Sequence, residues 1–377
     1  MRSLLGCPIN TRGRVLGRIV LNPPRFFSDP NSIIATNSPN RKSLRHKAIL
    51  TDIKDIDPNL KSSGKTIYYG VSRLNELKAG DVVRLNPDGG IDVLYEKESP
   101  HNALFVTEQC NCSCLICPQY TTDNKTDYTE EVLTLIKLID PQTKTLGITG
   151  GEPTLLGNNL FKIVKACKQN LPNTALQVLS NGIRFADFEF AKNFTLIEHP
   201  NIQIGIPLYA DTDTEHNYIM QANGFYKTLK GIQNLALFKH RIEIRIVITA
   251  LNYHRLPKWA EFIYRNFPFV IHIAFMGMET RESAKKNLEQ VWVDPYEYQD
   301  YLQKAVEFLS LRQMKVSVYN HQLCVLPKSL WPYSTKSIST WKNIYLPECE
   351  QCQKKELCGG FFESSAELHS KHIHPLS

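Results

Sequence analysis

The sequence has no apolar run near the roughly 18 residues that a membrane-crossing helix needs. Its most apolar stretch, Ile244 to Leu251, is short and β-branched, the pattern of a buried strand. Internal repeats, low-complexity tracts and blocks of like charge are also missing. The 44 Lys and Arg against 37 Asp and Glu leave +7 over 377 residues, with a light basic clustering at Arg41, Lys42, Arg45 and Lys47. So diffuse a charge reads as a solvated face rather than a nucleic-acid site. Leu4-Leu5-Gly6-Cys7 looks like a lipoprotein cleavage box, but only a few residues precede Cys7 where a leader needs roughly 7–15 apolar ones. The expectation is a cytoplasmic protein with neither membrane nor nucleic acid as partner.

Cysteine is what the sequence does have. Disulfides are rare in the cytosol, so clustered cysteines there point to metal or redox chemistry. Seven of the ten fall in two groups, Cys110, Cys112, Cys114 and Cys117, then Cys349, Cys352 and Cys358; Cys7, Cys167 and Cys324 stand apart.

Residues 1–100 read as a small β-rich module. Thr11 to Leu21 is a basic strand, Pro23-Pro24 is loop chemistry, and Val82–Leu85 with Ile91–Tyr95 flank an Asn-Pro-Asp-Gly-Gly hairpin turn. From residue 101 strands alternate with helices. Strands are expected at 103–107, 145–149, 175–179, 202–208, 243–248 and 270–275; helices are expected at 129–139, 160–169, 225–239, 257–266 and 295–313. Such alternation implies βαβ units and a parallel sheet. Six strands fall short of a closed eight-stranded barrel, so the fold class is α/β, a partial (β/α)6 TIM-type barrel over 101–315, with functional loops at the C-terminal strand ends. Val316 to Tyr319 adds a strand, and the rest of 316–377 is an irregular cysteine-bearing extension that a bound metal would order.

Cys110, Cys114 and Cys117 form C-x3-C-x2-C directly after a strand. Three thiolates from one short loop hold a four-iron cluster and leave one iron without a protein ligand. On spacing alone a zinc site, a redox dithiol at Cys114 and Cys117, or a chance cluster stay open. The loop resembles the cluster motif of radical S-adenosylmethionine (SAM) enzymes, which also follows the first barrel strand. Gly150-Gly151-Glu152-Pro153 resembles their glycine-rich motif after strand two, and Ser180-Asn181 stands where they place polar contacts to SAM. The resemblance implies a SAM-binding [4Fe–4S] cluster on the three cysteines and SAM contacts from these six residues. Ile116 departs from the pattern, since many members carry an aromatic residue there; Cys112 is extra and is left out of the ligand set.

Cys349, Cys352 and Cys358 give C-x2-C-x5-C, which resembles the auxiliary-cluster extensions (SPASM and twitch) of peptide-modifying members. Phe362 stands where the longer form has another cysteine, so the resemblance implies one auxiliary [4Fe–4S] cluster with Cys324 as fourth ligand. Four thiolates would equally hold zinc. Phrases such as Asn320-His321-Gln322-Leu323-Cys324 and Cys358-Gly359-Gly360-Phe361-Phe362 resemble the His-Xaa-Ser system radical SAM maturases (HxsC) over residues 100 to 365. That implies a ribosomally made precursor peptide as substrate, a sister maturase, and an electron donor such as flavodoxin or ferredoxin. The competing readings are a radical SAM enzyme acting on a small molecule, as in molybdenum-cofactor synthesis, and a zinc-stabilised module without catalysis. Asp211 and Glu279 are candidate aids to deprotonation, though loop carboxylates are the plainer reading and no general base is assigned. His272 and His321 are not assigned as ligands, and His369, His372 and His374 read as a disordered end.

Overall fold

The computed structural model describes residues 2–22, 29–119, 126–337 and 343–377; the Pro23-Pro24 loop lies outside them. The chain divides into two compact units, one of Met1–Phe105, Tyr128–Gly147 and Lys162–Ala175, the other of Val106–Asp127, Ile148–Phe161 and Leu176–Ser377.

The first unit holds β1 (Arg2–Leu5), β2 (Cys7–Ile9), β3 (Val15–Val20), β4 (Ser32–Ala35), β5 (Ala48–Leu50), β6 (Thr66–Tyr69), β7 (Val82–Leu85) and β8 (Gly90–Tyr95). Their order in the sheet is β1-β8-β7-β3-β4-β5-β6-β2. β1 and β2 sit at opposite edges yet are separated only by Gly6, so the sheet curls until its edges meet there. A Cβ on Gly6 would stand 2.8 Å from Val71 Cγ2, which only glycine avoids. Period-two alternation divides the side chains between two cores. Ile33, Ala35, Ala48, Leu50 and Tyr68 pack with Leu85 and Ile91, while Ile34, Ile49 and Ile67 pack with Ile56 and Leu60. Several of these strands are only three or four residues long, too short for their alternation to stand out in the sequence. The expected β7–β8 hairpin is present and antiparallel.

Helix α1 (Thr129–Leu138) is tied to this hairpin by charge. Arg84 donates to Asp92 on β8 and to Glu131 on α1, each at 2.8 Å, with all three side chains largely buried.

Strands β9 (Asn102–Phe105) and β10 (Thr145–Thr149) precede β11 (Ala175–Leu179), β12 (Ile202–Pro207), β13 (Arg241–Val247), β14 (His272–Met276), β15 (Val316–Tyr319) and the two-residue β16 (Ser334–Thr335). From β11 to β16 the strands lie side by side in chain order, all parallel, in an open sheet. The six expected strands are all there, their ends within two residues of those read from the sequence. One face of the sheet is aliphatic: Val178, Ile204, Ile244, Ile273 and Val318 are fully buried. The opposite face carries Gln177, Gln203, Glu243, Arg245, His272 and Ser317, so the strands alternate apolar and polar rather than being apolar on both sides.

The longer helices after α1 are α2 (Asn158–Asn170), α3 (Phe188–Thr195), α4 (Asp213–Met220), α5 (Phe225–Leu237), α6 (Leu256–Asn266) and α7 (Gln299–Ser310). Trp259 of α6 is fully buried, meets Phe275 edge-on at 5.4 Å and donates from Nε1 to Leu208 O at 2.9 Å. α3 and α4 were not expected. α7 is shorter than expected at its start because Asp294 closes a turn, accepting from the Glu297 N–H at its carbonyl and from the Tyr296 N–H at its carboxylate, both at 2.9 Å. Among the described residues no helix is long and apolar enough to cross a membrane.

Replacing Arg84 by Ala strands two partly buried carboxylates, so Arg84→Ala is expected to cost about 1–3 kcal/mol in denaturant unfolding. Arg84→Lys, lacking the two-pronged guanidinium, should recover only part of it. An unfolding midpoint unchanged in Arg84→Ala would contradict this role.

Candidate active site

Parallel strands deliver their loops to one end, and there the cysteine loop is fastened first to the turn after β10. Val106 N–H donates to Thr149 O at 2.9 Å, Gly151 N–H to Thr107 O at 2.8 Å and Glu152 N–H to Gln109 O at 2.7 Å. The two chains touch so closely that no side chain fits between them. A Cβ on Gly151 would lie 2.6 Å from the Gln109 carbonyl carbon and 2.7 Å from Glu108 O, and one on Gly150 would collide with the Thr107 carbonyl. Expected from the resemblance to contact SAM, the glycines also admit the cysteine loop's own backbone.

Glu152 completes the junction. Its side chain is essentially fully buried, and its carboxylate accepts from Thr154 N (3.0 Å), Thr154 Oγ1 (2.6 Å), Ser180 Oγ (2.8 Å) and Asn181 N (2.6 Å). Burial raises its pKa. The turn after β10 is thereby welded to the end of β11. Expected as a ligand contact, the Glu152 side chain is spent on the protein. Ser180 is occupied likewise, its hydroxyl also accepting from Gly182 N–H at 3.1 Å. Asn181 points back to the cysteine loop, donating from Nδ2 to Asn111 Oδ1 at 2.7 Å and to Cys112 Sγ at 3.4 Å. Pro153 is buried at the first position of a short 3₁₀ turn.

Further braces reach the loop from later strands. Leu115 N–H donates to Ile219 O at 2.9 Å, and Ser283 N–H to Cys117 O at 3.1 Å. Asn287 Nδ2 donates to Leu115 O at 3.1 Å. Ile116, where an aromatic residue is usual, is buried with Cys112, Tyr209, Ile219, Met220 and Val291. The Tyr209 hydroxyl points at Cys114 Sγ, 3.9 Å away, and burial lifts its pKa well above the ordinary value. Asn252, also buried, fixes Tyr209 by donating to its carbonyl at 2.9 Å.

Cys110, Cys114 and Cys117 are half-buried and near enough to feel one another's charge. Burial pushes the Cys114 thiol up to about 12 and raises Cys117, while a hydrogen bond from Cys112 lowers Cys110. As free thiols they do not surround one point: among the described residues, no three His, Cys, Asp or Glu side chains are arranged as a metal site. The donor set nonetheless fits an iron–sulfur cluster in kind, three neighbouring thiols on one anchored loop. Cys324, Cys349, Cys352 and Cys358 form a second neighbourhood, in which Cys324 feels Cys358 and Cys349, and Cys349 feels Cys358 and Cys352. The structure thus brings Cys324 to the group from which the sequence separates it.

Residues 104–263 match the sequence profile of the Radical SAM superfamily. That match covers 160 of the 377 residues. An uncharacterized Methanocaldococcus jannaschii protein, MJ0907, is 30% identical over 172 residues, 43% of this chain and 57% of that protein. Among solved structures, Streptococcus suis SuiB bound to its precursor peptide SuiA resembles it with a TM-score of 0.47 and 13% identity, over 59% of this chain and 49% of SuiB. The anSMEcpe structure with AdoMet and the Cp18Cys peptide gives 0.46 and 18%, over 57% and 62%. The chain therefore spans little more than half the length of MJ0907 and about half of SuiB.

Within the matched segment and beyond it, other residues settle differently from expectation. Asp211 is gripped by Arg255 through two contacts of 2.7 Å, which removes it as a free base. Glu279 lies 3.7 Å from Arg281. His321 is buried between the Tyr298 hydroxyl (2.7 Å) and Tyr319 O (2.8 Å). Tyr209 was missed because a tyrosine at a strand end reads as core until the fold turns its hydroxyl toward a cysteine. Also missed was the polar sheet face, where Glu243 accepts from His272 at 2.7 Å and Gln203 at 3.1 Å; its signal was the period-two polar spacing of β13.

Gly151→Ala is expected to push the cysteine loop off the strand end, costing about 1–3 kcal/mol of stability by overpacking. Gly13→Ala, where nothing lies within 4 Å of the added atom, is the control and should leave stability unchanged. Equal unfolding curves for the two would refute the close-contact reading.

Proposed function

We propose that this chain is a radical SAM peptide maturase, with Cys110, Cys114 and Cys117 holding a [4Fe–4S] cluster. The observation that carries the reading is the cysteine loop laid on the Gly150-Gly151-Glu152 turn within a segment matching the Radical SAM profile. A cluster held by Cys110, Cys114 and Cys117 would supply the electron for reductive cleavage of SAM.

The chain's own residues bind, orient and shield. Three thiols anchor the cluster, and Gly150, Gly151, Glu152 and Pro153 would meet SAM through their backbone, the Glu152 carboxylate being already filled. Ser180 and Asn181 would line the same ligand from β11, with Asn181 the one whose amide turns toward the loop. Ile116, Met220 and Val291 supply an apolar wall that keeps water from a reactive radical. Tyr209 is added as the hydroxyl facing Cys114.

The proposed layout is a β-rich N-terminal module over 1–100, the partial barrel over 101–315 and an extension over 316–377, where Cys324, Cys349, Cys352 and Cys358 hold the auxiliary cluster. The substrate is a ribosomally made peptide with His-Xaa-Ser repeats, worked on in the cytoplasm beside a sister maturase and a flavodoxin or ferredoxin donor. That finer reading is supported by the resemblance of the C-terminal phrases to the maturase family.

Anaerobically purified protein should contain iron and sulfide and convert SAM to 5′-deoxyadenosine when reduced. Cys114→Ala should lose about four irons per chain, with 5′-deoxyadenosine falling to background. Added precursor peptide should change mass only with the intact loop. Zinc without iron, or cleavage at the normal rate in Cys114→Ala, would sink the proposal.

A further inference from the structure

The residues after the last cysteine do not trail away as a disordered end. Ser370 is buried, Lys371 N–H donates to Asp294 Oδ2 at 3.2 Å, and the His372 ring lies flat on Tyr296, centroids 3.7 Å apart and planes 13° from parallel. Beyond this anchor the chain turns over the second cysteine group. Gln353 N–H donates to Leu376 O at 2.9 Å, and Leu376 N–H donates to Cys352 Sγ at 3.3 Å. The His374 backbone faces the Cys324 sulfur.

The other sulfurs are met from outside the tail, Cys358 by Leu323 N–H at 3.5 Å and Cys349 by the Leu346 backbone. Backbone N–H groups are thus aimed at Cys352 and Cys358, and the backbone of His374 and of Leu346 stands near Cys324 and Cys349. Such bonds strengthen when the acceptor is ionised, and a metal-bound cysteine is a thiolate. Amides around a metal's thiolates fix their orientation and affinity, and hydrogen bonds to sulfur help set a cluster's reduction potential.

We propose that residues 370–376 form a strap that closes the four-cysteine site, pinned at Asp294 and Tyr296 and seated on Cys352 through the Leu376 amide. The strap holds the bound metal against loss. Where that metal is an iron–sulfur cluster, the strap raises its potential by spreading the charge on sulfur. This rests on the reading that the second group binds metal, but not on what the first group holds.

The test uses the full chain with Cys110, Cys114 and Cys117 all changed to Ala, so that metal at the second group is measured alone. Leu376→Pro removes the N–H and keeps an apolar side chain; Leu376→Ala keeps the N–H. Metal release to excess EDTA should be about tenfold faster in Leu376→Pro and near the parent rate in Leu376→Ala. Tyr296→Ala, which loosens the anchor without touching a sulfur, should also speed release, so the idea stays testable if Leu376→Pro misfolds. Release at the parent rate in both Leu376→Pro and Tyr296→Ala would overturn the strap while leaving the metal site standing. A parent protein that takes up no metal at this group would overturn both.

Discussion

The cysteine loop stands where it does because two stretches of backbone touch without side chains between them. Thr107 to Gln109 lie against Gly150 and Gly151, and the buried Glu152 carboxylate locks that contact to the next strand. A buried carboxylate without partners would be costly. Here four donors fill it, so the same group that would destabilise an apolar core ties the turn after β10 to the end of β11. Whatever the cysteines hold inherits its position from this junction. Asn181 and Tyr209 then reach the loop from neighbouring strand ends, and Asn287 from the helical segment after β14.

Much of this was legible in the sequence, and the illegible part has physical causes. The strands of the parallel sheet announced themselves by β-branched runs between helices, and the cysteine spacing pointed to one loop. The purpose of Gly150 and Gly151 was not legible, because a glycine read alone does not say whether it makes room for a ligand or for its own chain. Glu152 looked like a ligand contact for the same reason; its four donors come from residues up to 29 positions away. Cys324 was placed with the second group from resemblance, and in the structure it shares charge with Cys349 and Cys358. The tail misled most. Polar histidines near the end of a sequence look unanchored, and only the fold sets Tyr296 and Asp294 beneath them.

The two sulfur neighbourhoods share backbone bracing and differ in the side chains around them. Around the first, a tyrosine hydroxyl stands near Cys114 and an asparagine amide near Cys112. Three protein sulfurs leave a four-iron cluster one position short, which suits a centre that must admit a further ligand. Around the second, Cys352 accepts from the Leu376 amide and Cys358 from the Leu323 amide. A site completed by protein ligands has no need of an entry position, and amides at its sulfurs fix their orientation.

The sheet beneath the first neighbourhood follows the same division of labour. A closed eight-stranded barrel fills its interior with branched apolar side chains. In this open sheet the corresponding face carries Gln177, Gln203, Glu243, Arg245, His272 and Ser317. Their charges are settled among themselves. Burial would raise the Glu243 carboxyl, but the hydrogen bond from His272 and the neighbouring Arg245 outweigh it and hold the group below its ordinary value. Arg245 lies 3.3 Å from Glu243, and a Cβ on Gly205 would come within 3.3 Å of the Arg245 side chain. A face that is polar, internally neutral and fixed by hydrogen bonds does not collapse into a core. It leaves the aliphatic face and its helices to carry the stability of the sheet.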